Sequence, residues 1–180
     1  MTDVCQATGT ARPSFTQEML EKGDLSAEEE SIIKWAAAAI YGGGADSTVS
    51  VAYSFFLAML LYPDVQKKAQ EELDRVVGCD RLPSYEDRDK LPYVNALIKE
   101  ALRWNAVLPM GVPHVMSEDD VFRGYFIPKG AIIMPNISLF AHDPELYHDP
   151  MNFSPERFLD ADGRTPELDP KNVVFGFGRR

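Results

Sequence analysis

The sequence predicts a mainly α-helical fold with a small β-sheet, on three observations. A capping box, Ser26-Ala27-Glu28-Glu29, opens an apolar-rich run that reaches Tyr62; the serine caps the helix and the glutamate reaches back to it. Two more helices are marked by Pro63 and Pro92, since proline suits a first helical turn, where its missing N–H would be unpaired anyway. After Pro109 the chain changes to short β-branched and aromatic runs punctuated by proline and glycine, the signature of strands and turns.

Composition agrees with one ordinary domain. The chain has 180 residues, 45% hydrophobic and 26% charged, enough to bury a core. A formal net charge of −10 argues against a nucleic-acid partner and against a polybasic membrane patch. Cys5 and Cys79 stand far apart, without a CxxC or a histidine at metal spacing, which suggests a reducing compartment rather than a disulfide framework. The polar opening shows no signal peptide.

Taken in order, residues 1–25 hold one short helical candidate near Phe15–Glu21, ended by Gly23. The following long element is expected over 26–62, about 54 Å if wholly helical at 1.5 Å per residue. Its centre, Gly42-Gly43-Gly44-Ala45-Asp46-Ser47-Thr48, is where a helix is weakest. Three readings compete there. A membrane span fits the single charge, Asp46, between Trp35 and Tyr62, but glycines, an aspartate and hydroxyls then lie where bilayer burial costs most. Two shorter helices could join at the glycines. The third reading is one long core helix, deformed where the backbone lets a ligand approach.

Helices are expected over 63–104. The first runs from Pro63 to about Val77 with Gly78 as its stop, and Lys67, Lys68, Glu71, Glu72, Asp74 and Arg75 form its solvated face. Pro83-Ser84 opens a short turn of helix. The next helix runs from Pro92 to about Trp104, with Tyr93, Ala96, Leu97, Ala101 and Trp104 on its apolar side. A small sheet is expected over 110–135, from strands at Val112–Met116, Val121–Ile127 and Ala131–Pro135 with a turn at Pro128-Lys129-Gly130. Many prolines and aspartates with little periodicity make 143–172 an ordered meander.

Three places carry chemistry. Glu100 and Arg103 lie three apart, hence on one helix face. The plain reading is an exposed ion pair worth little; if partly buried, the pair wants a third partner, and Arg157 in Phe153-Ser154-Pro155-Glu156-Arg157-Phe158 is a candidate. The second place is Phe175-Gly176-Phe177-Gly178-Arg179-Arg180. Glycines permit tight turns and arginines offer forked donors, which suits an anionic planar ligand, although a solvated terminus or phosphate-binding turn has the same composition. The third place, His142 to Pro150, invites a metal through His142, His148 and nearby carboxylates. Its Asp-Pro pairs are cap and turn signals, and no ligand pair has the i, i+4 spacing of a zinc helix.

Together these motifs resemble the cytochrome P450 family. Glu100-Ala101-Leu102-Arg103 is similar to its Glu-x-x-Arg motif and Pro155-Glu156-Arg157-Phe158 to its Pro-Glu-Arg-Phe motif. Gly43-Gly44-Ala45-Asp46-Ser47-Thr48 resembles its oxygen-binding helix motif. Phe175, Gly178 and Arg180 match the first fixed positions of its haem loop, Phe-x-x-Gly-x-Arg-x-Cys-x-Gly. All four occur in the family's order, and the flavour is that of fungal microsomal members. The resemblance implies an incomplete P450 fold, from the oxygen-binding helix to the start of the haem loop, with 143–180 as the meander and truncated loop. The axial cysteine would fall two residues beyond Arg180, outside this sequence, so no metal ligand is assigned within it.

The resemblance also implies roles. Glu100, Arg103 and Arg157 would form a structural triad behind haem b. Asp46, with the hydroxyls of Ser47 and Thr48, would relay protons, Ser47 standing where the family usually has threonine. His114 and Arg180 would pair with haem propionates, beside Phe175 and Gly178 in the loop. Ala45, Val107, Leu108, Met110 and Val112 would line the substrate pocket. The implied chemistry is insertion of one atom of O2 into a small apolar substrate, with electrons from NADPH through cytochrome P450 reductase. A full-length relative would work at the cytoplasmic face of the endoplasmic reticulum, although no membrane segment is expected in this stretch. The 180-residue chain alone is expected to be inactive and to fold poorly. Two other classes stand beside this reading: an inactive P450-derived structural or interaction protein, and a metal-binding helical domain using His142 and His148.

Overall fold

The computed structural model describes residues 13–160, 163 and 165–178. The chain divides into two compact units, Met1–Val49 and Ser50–Arg180. Cys5, Arg179 and Arg180 lie outside the described residues.

The first unit holds α1, Phe15–Leu20, capped where the Ser14 hydroxyl accepts from the Gln17 amide at 3.3 Å. It also holds the larger part of α2, Ala27–Leu61. The capping box forms at Ser26. The Glu29 carboxylate accepts from the Ser26 amide at 2.9 Å and the Ser26 hydroxyl accepts from the Glu29 amide at 3.3 Å. These bonds from Ser26 hold the Glu29 carboxyl below the usual carboxylate range.

Helix α2 is continuous for 35 residues, and Gly42, Gly43 and Gly44 remain helical. The two-helix alternative does not describe this structure. Ala36 to Ala39 on one side are strong helix formers, and propagation through three weak residues is cheaper than starting a second nucleus. As a core helix, however, α2 is sparsely buried, with only Ile33, Ser54, Ala58 and Met59 enclosed. Trp35, Tyr41, Phe56 and Leu60 are exposed. By length and composition alone α2 could also cross a bilayer.

The second unit is built on α3, Pro63–Val76, and α4, Pro92–Trp104, joined through a 3-10 helix, Tyr85–Lys90. Both α-helices start with proline, and α3 stops at Gly78, whose φ of +81° glycine adopts without strain. Ala58, Met59, Val65, Ala69, Tyr93, Leu97, Ala101 and Phe153 make the main core. Tyr62 and Trp104 flank it, and their rings lie 5.6 and 5.5 Å from that of Phe153.

The expected solvated face of α3 needs a correction at Glu72, which is buried. Its carboxylate accepts from the amides of Tyr93 at 3.0 Å and Val94 at 2.9 Å. A neighbouring helix thus supplies the N-terminal cap that Leu91 cannot, with a negative charge at the positive end of the α4 dipole. Glu72→Ala is expected to destabilise the fold by about 2 kcal/mol through two orphaned N–H groups, read as a lower urea midpoint. An Ala variant with an unchanged midpoint would remove the cap from the account.

A second carboxylate, Asp87, orders the 3-10 helix. It accepts from both terminal nitrogens of Arg81 at 2.7 and 2.8 Å and from the Ser84 amide at 2.8 Å. The Arg81 bonds, aided by that amide, hold its carboxyl far below the usual range. A depressed folded-state pKa means that the unfolded chain takes up the proton first as pH falls. The contribution is therefore full above the unfolded carboxyl value near 3.8 and is lost as pH drops through the lower folded one. Urea midpoints measured from about pH 6 to about pH 3 should fall with acid, and Asp87→Asn should flatten part of that slope.

The expected single sheet is in fact two ladders. Strand β1, His114–Val115, pairs antiparallel with β4, Ile132–Ile133, placing His114 opposite Ile133. Strands β2, Asp120–Phe122, and β3, Tyr125–Ile127, form a separate hairpin. The run Val121–Ile127, read as one strand, folds back at Arg123-Gly124, where φ is +50° and +85°. Two consecutive positive values make a tight primed turn that suits strand twist. The expected turn at Pro128-Lys129-Gly130 is present, closed by the Ala131 amide on the Pro128 carbonyl at 3.1 Å.

Three short elements complete the fold: α5, Ile137–Ala141, the 3-10 helix Pro155–Phe158, and α6, Lys171–Val174. Helix α5 has no proline in its first turn and no glycine after its last. The Asn136 side chain starts it by accepting from the Leu139 amide at 3.0 Å.

Candidate functional site

The meander is folded around a buried charge network. Glu100 and Arg103, one turn apart on α4, are fully buried, and Arg157 on the second 3-10 helix is nearly so. Arg103 gives Nε and Nη2 to the two Glu100 oxygens at 2.8 Å each. Its remaining donors reach the carbonyls of Ala141 and Pro150 at 2.8 Å and Asn152 at 3.3 Å. Arg157 gives Nε to Glu100 at 3.2 Å and reaches the carbonyls of His148, Asp149 and Asn152 at 2.7, 3.3 and 3.1 Å. Its last donor meets the Glu167 carboxylate at 2.7 Å. Glu100 also accepts from the Ser154 amide at 2.8 Å. Every N–H of both guanidiniums is therefore used, which is what a charge buried without water requires.

The network converts two side chains on α4 and one on the meander into clamps on sequence-distant backbone. The five carbonyls just named belong to α5 and to 148–152. Lysine could not replace either arginine, because a single ammonium cannot reach partners on several sides of a planar fork. Beneath Arg103 lies the buried Tyr147 ring, 5.2 Å from the guanidinium carbon, within cation–π range. Burial pushes the Tyr147 phenol up. For Arg157, burial alone would lower the pKa, but the bond to Glu167 and the charges of Glu100 and Glu167 outweigh it and raise it.

Glu156, beside Arg157, faces the other way. It accepts from Lys68 at 2.6 Å and from the Tyr93 hydroxyl at 3.0 Å. Burial pushes its carboxyl up, yet the Lys68 bond and the other donors prevail and hold it below the usual range. The Pro-Glu-Arg-Phe turn is thereby pinned to α3 and α4 by one side chain and to Glu100 by the next.

The other expected site residues are dispersed. Asp46 and Thr48 are exposed on α2, and Ala45 and Ser47 are half-buried. The Ser47 hydroxyl donates to the Gly43 carbonyl at 2.8 Å, an i−4 back-bond that loosens a helix locally. His114 is exposed on β1. Val107 is half-buried, whereas Leu108, Met110 and Val112 are exposed on the connection from α4 to β1. That connection is held by the Ser138 amide on the Pro109 carbonyl at 2.9 Å and by a tight turn at Gly111. With φ of +59°, a Cβ on Gly111 would sit 2.5 Å from Pro135 Cγ, so only glycine fits.

Phe175 is exposed directly after α6, followed by Gly176 at φ +78°. A Cβ on Gly176 or Gly178 would meet nothing within 4 Å. The Phe177 ring packs edge-on to Phe140 at 6.2 Å. Arg180, the remaining expected loop residue, lies outside the described residues. Around His142 and His148, no group of three or more His, Cys, Asp or Glu side chains converges on a metal position among the described residues. The His142 ring instead meets the Ser138 carbonyl at 2.9 Å.

Sequence reasoning missed Glu167 and the carbonyls that the arginines hold. A carbonyl has no sequence signature, but an acidic residue ten positions after a buried arginine could have been tested as its counter-charge.

The sequence model of the family described as Cytochrome P450 matches residues 5–180. The chain belongs to the cytochrome P450 family. Relatives that it matches at high identity include fungal P450 monooxygenases. It is similar to cytochrome P450 monooxygenase claR of Ampulloclitocybe clavipes, 56% identical across 96% of this chain and 32% of that protein. Cytochrome P450 monooxygenase 208 of Postia placenta is 55% identical across 97% of this chain and 34% of its own length. The O-methylsterigmatocystin oxidoreductase of Aspergillus flavus is 51% identical across 97% of this chain and 33% of its own. The P450 chain thus spans about a third of the length of the curated relatives it matches. The fold is a mainly helical part of the P450 architecture.

Proposed function

We propose that this P450 chain is the oxygen-binding-helix to haem-loop part of a haem-dependent monooxygenase that inserts one atom of O2 into an apolar organic substrate. The observation that carries the reading is the closed Glu100–Arg103–Arg157 network, which fastens the meander leading to Phe175–Gly178. Such a scaffold serves a loop that must be held still behind a ligand.

The residues at that loop fit a flat ligand. Two bared aromatics, Phe175 and Phe177, flank a glycine turn with open space where side chains would stand. His114 would hold a carboxylate of the haem by hydrogen bond, and Phe175, Gly178 and the Arg180 cation would meet the haem from the loop. Haem, when bound, supplies the oxygen-activating centre; its thiolate ligand is not assigned to any residue here. Asp46 would hold and pass protons at its carboxylate, with Ser47 Oγ and Thr48 Oγ1 beside it. Leu108, Met110, Val112, Val107 and Ala45 would present apolar surface to substrate. Electrons would come from NADPH through a flavoprotein reductase at the cytoplasmic face of the endoplasmic reticulum.

The test is spectroscopic. A full-length protein carrying this chain, loaded with haem and reduced under carbon monoxide, should give the thiolate-type band, and apolar candidates should perturb the haem spectrum on binding. Full-length protein that takes up no haem, or whose band is not of the thiolate type, would overturn the reading.

A further inference from the structure

The buried network has a charge imbalance that its three family-motif residues do not resolve. Two guanidiniums, Arg103 and Arg157, face one carboxylate, Glu100, with side-chain exposures of 0%, 4% and 0%. A net positive charge in that setting is strongly disfavoured. Among the described residues, the balancing carboxylate in contact is Glu167, 2.7 Å from Arg157 Nη1.

Glu167 is also unusually well tied. Its second carboxylate oxygen accepts from the His148 amide at 3.2 Å, and its own amide donates to the Arg157 carbonyl at 2.9 Å. Two residues on, Asp169 pairs with Lys99 of α4 at 2.9 Å and accepts from the Lys171 amide at 3.0 Å, which starts α6. Pro170 between them is fully buried. From there α6 runs directly into Phe175–Gly178.

We infer that Glu167 is a positioning residue, the fourth charge of the network, which neutralises Arg157 and with Asp169 latches the start of the Phe175–Gly178 loop onto α4. The pairing stands on this geometry alone; its service to a haem rests on the proposed oxygenase reading. Glu167 acts through Arg157 and the backbone and touches no reacting atom.

Hydrogen exchange on a full-length protein carrying this chain, with or without haem, tests the latch without turnover. The probes are the amides of Val173, Val174 and Gly176, which donate to Pro170 and Val173 carbonyls, against Leu97 and Ala101 in the core of α4. Glu167→Gln keeps the shape and removes the charge. It should speed exchange at the three loop amides by about tenfold while leaving Leu97 and Ala101 unchanged. Glu167→Asp keeps the charge on a shorter stem and should exchange more slowly than the Gln variant. Unchanged loop exchange in Glu167→Gln overturns the inference. So does equal acceleration in α4, which marks a general loss of stability, and so does an Asp variant as fast as the Gln one. The carbon monoxide spectrum of the unsubstituted sample reports separately on the haem reading, so either idea can fail alone.

Discussion

Glu100→Gln is expected to destabilise the fold by about 3–5 kcal/mol, the range for removing one member of a buried ion network. The carboxylate accepts from Arg103 twice, from Arg157 and from the Ser154 amide. A neutral amide has one oxygen, and its NH2 group points a donor at guanidiniums that are themselves only donors. Both arginines would lose their main counter-charge while staying buried. The urea midpoint should fall far enough to leave little folded protein at 37 °C, given how small net stabilities are. The exposed i, i+4 pair of Lys67 and Glu71 on α3, 3.9 Å apart, is the control. Glu71→Gln should change the stability by less than about 1 kcal/mol. Equal effects from the two substitutions would mean that burial does not set the strength of the network.

In a full-length protein carrying this chain, Asp46→Asn is expected to lower oxygenation roughly 100-fold, the low end of what a positioned proton carrier contributes. The substitution keeps size and hydrogen-bonding capacity but removes the only titratable side chain in the Trp35–Tyr62 stretch apart from the tyrosine hydroxyls. Asp46 is exposed on α2, so little stability should be lost and folded protein should be recovered. Product formed per NADPH consumed is the measurement. Ser47→Ala should lower the same ratio, because Ser47 Oγ, which donates to the Gly43 carbonyl, still offers lone pairs to a neighbouring donor. Turnover by Asp46→Asn equal to that of the unsubstituted protein would remove Asp46 from the proton route.

Much of this fold could be read in advance, and the reasons are local. Proline at a first turn and glycine after a last one are steric facts about single residues, so the bounds of α3 and α4 follow from Pro63, Gly78 and Pro92. The juxtaposition of Glu100 and Arg103 follows from helical period alone. What escaped depends on neighbours distant in sequence. Glu72 sits among Lys67, Lys68, Glu71 and Asp74 and shares their chemistry; only the approach of α4 buries it. The hairpin at Arg123-Gly124 was hidden because arginine seldom signals positive φ. Glu167 was unremarkable until the chain folded it against Arg157, ten residues earlier.

The three glycines inside α2 lower that helix's resistance to opening. Each costs roughly 1 kcal/mol relative to alanine in a helix interior, and no neighbouring atom lies within 4 Å of where their side chains would begin. Within this chain, alanine at Gly42, Gly43 or Gly44 would meet no neighbour and would stiffen the helix. Together they leave a stretch of about three residues where backbone hydrogen bonds can part at a cost some 3 kcal/mol lower than in an alanine helix. With the Ser47 hydroxyl already sharing the Gly43 carbonyl, α2 carries a built-in point of yielding. It is expected to open there first, read as faster amide hydrogen exchange at Gly42, Gly43 and Gly44 than at Ala36 to Ala39.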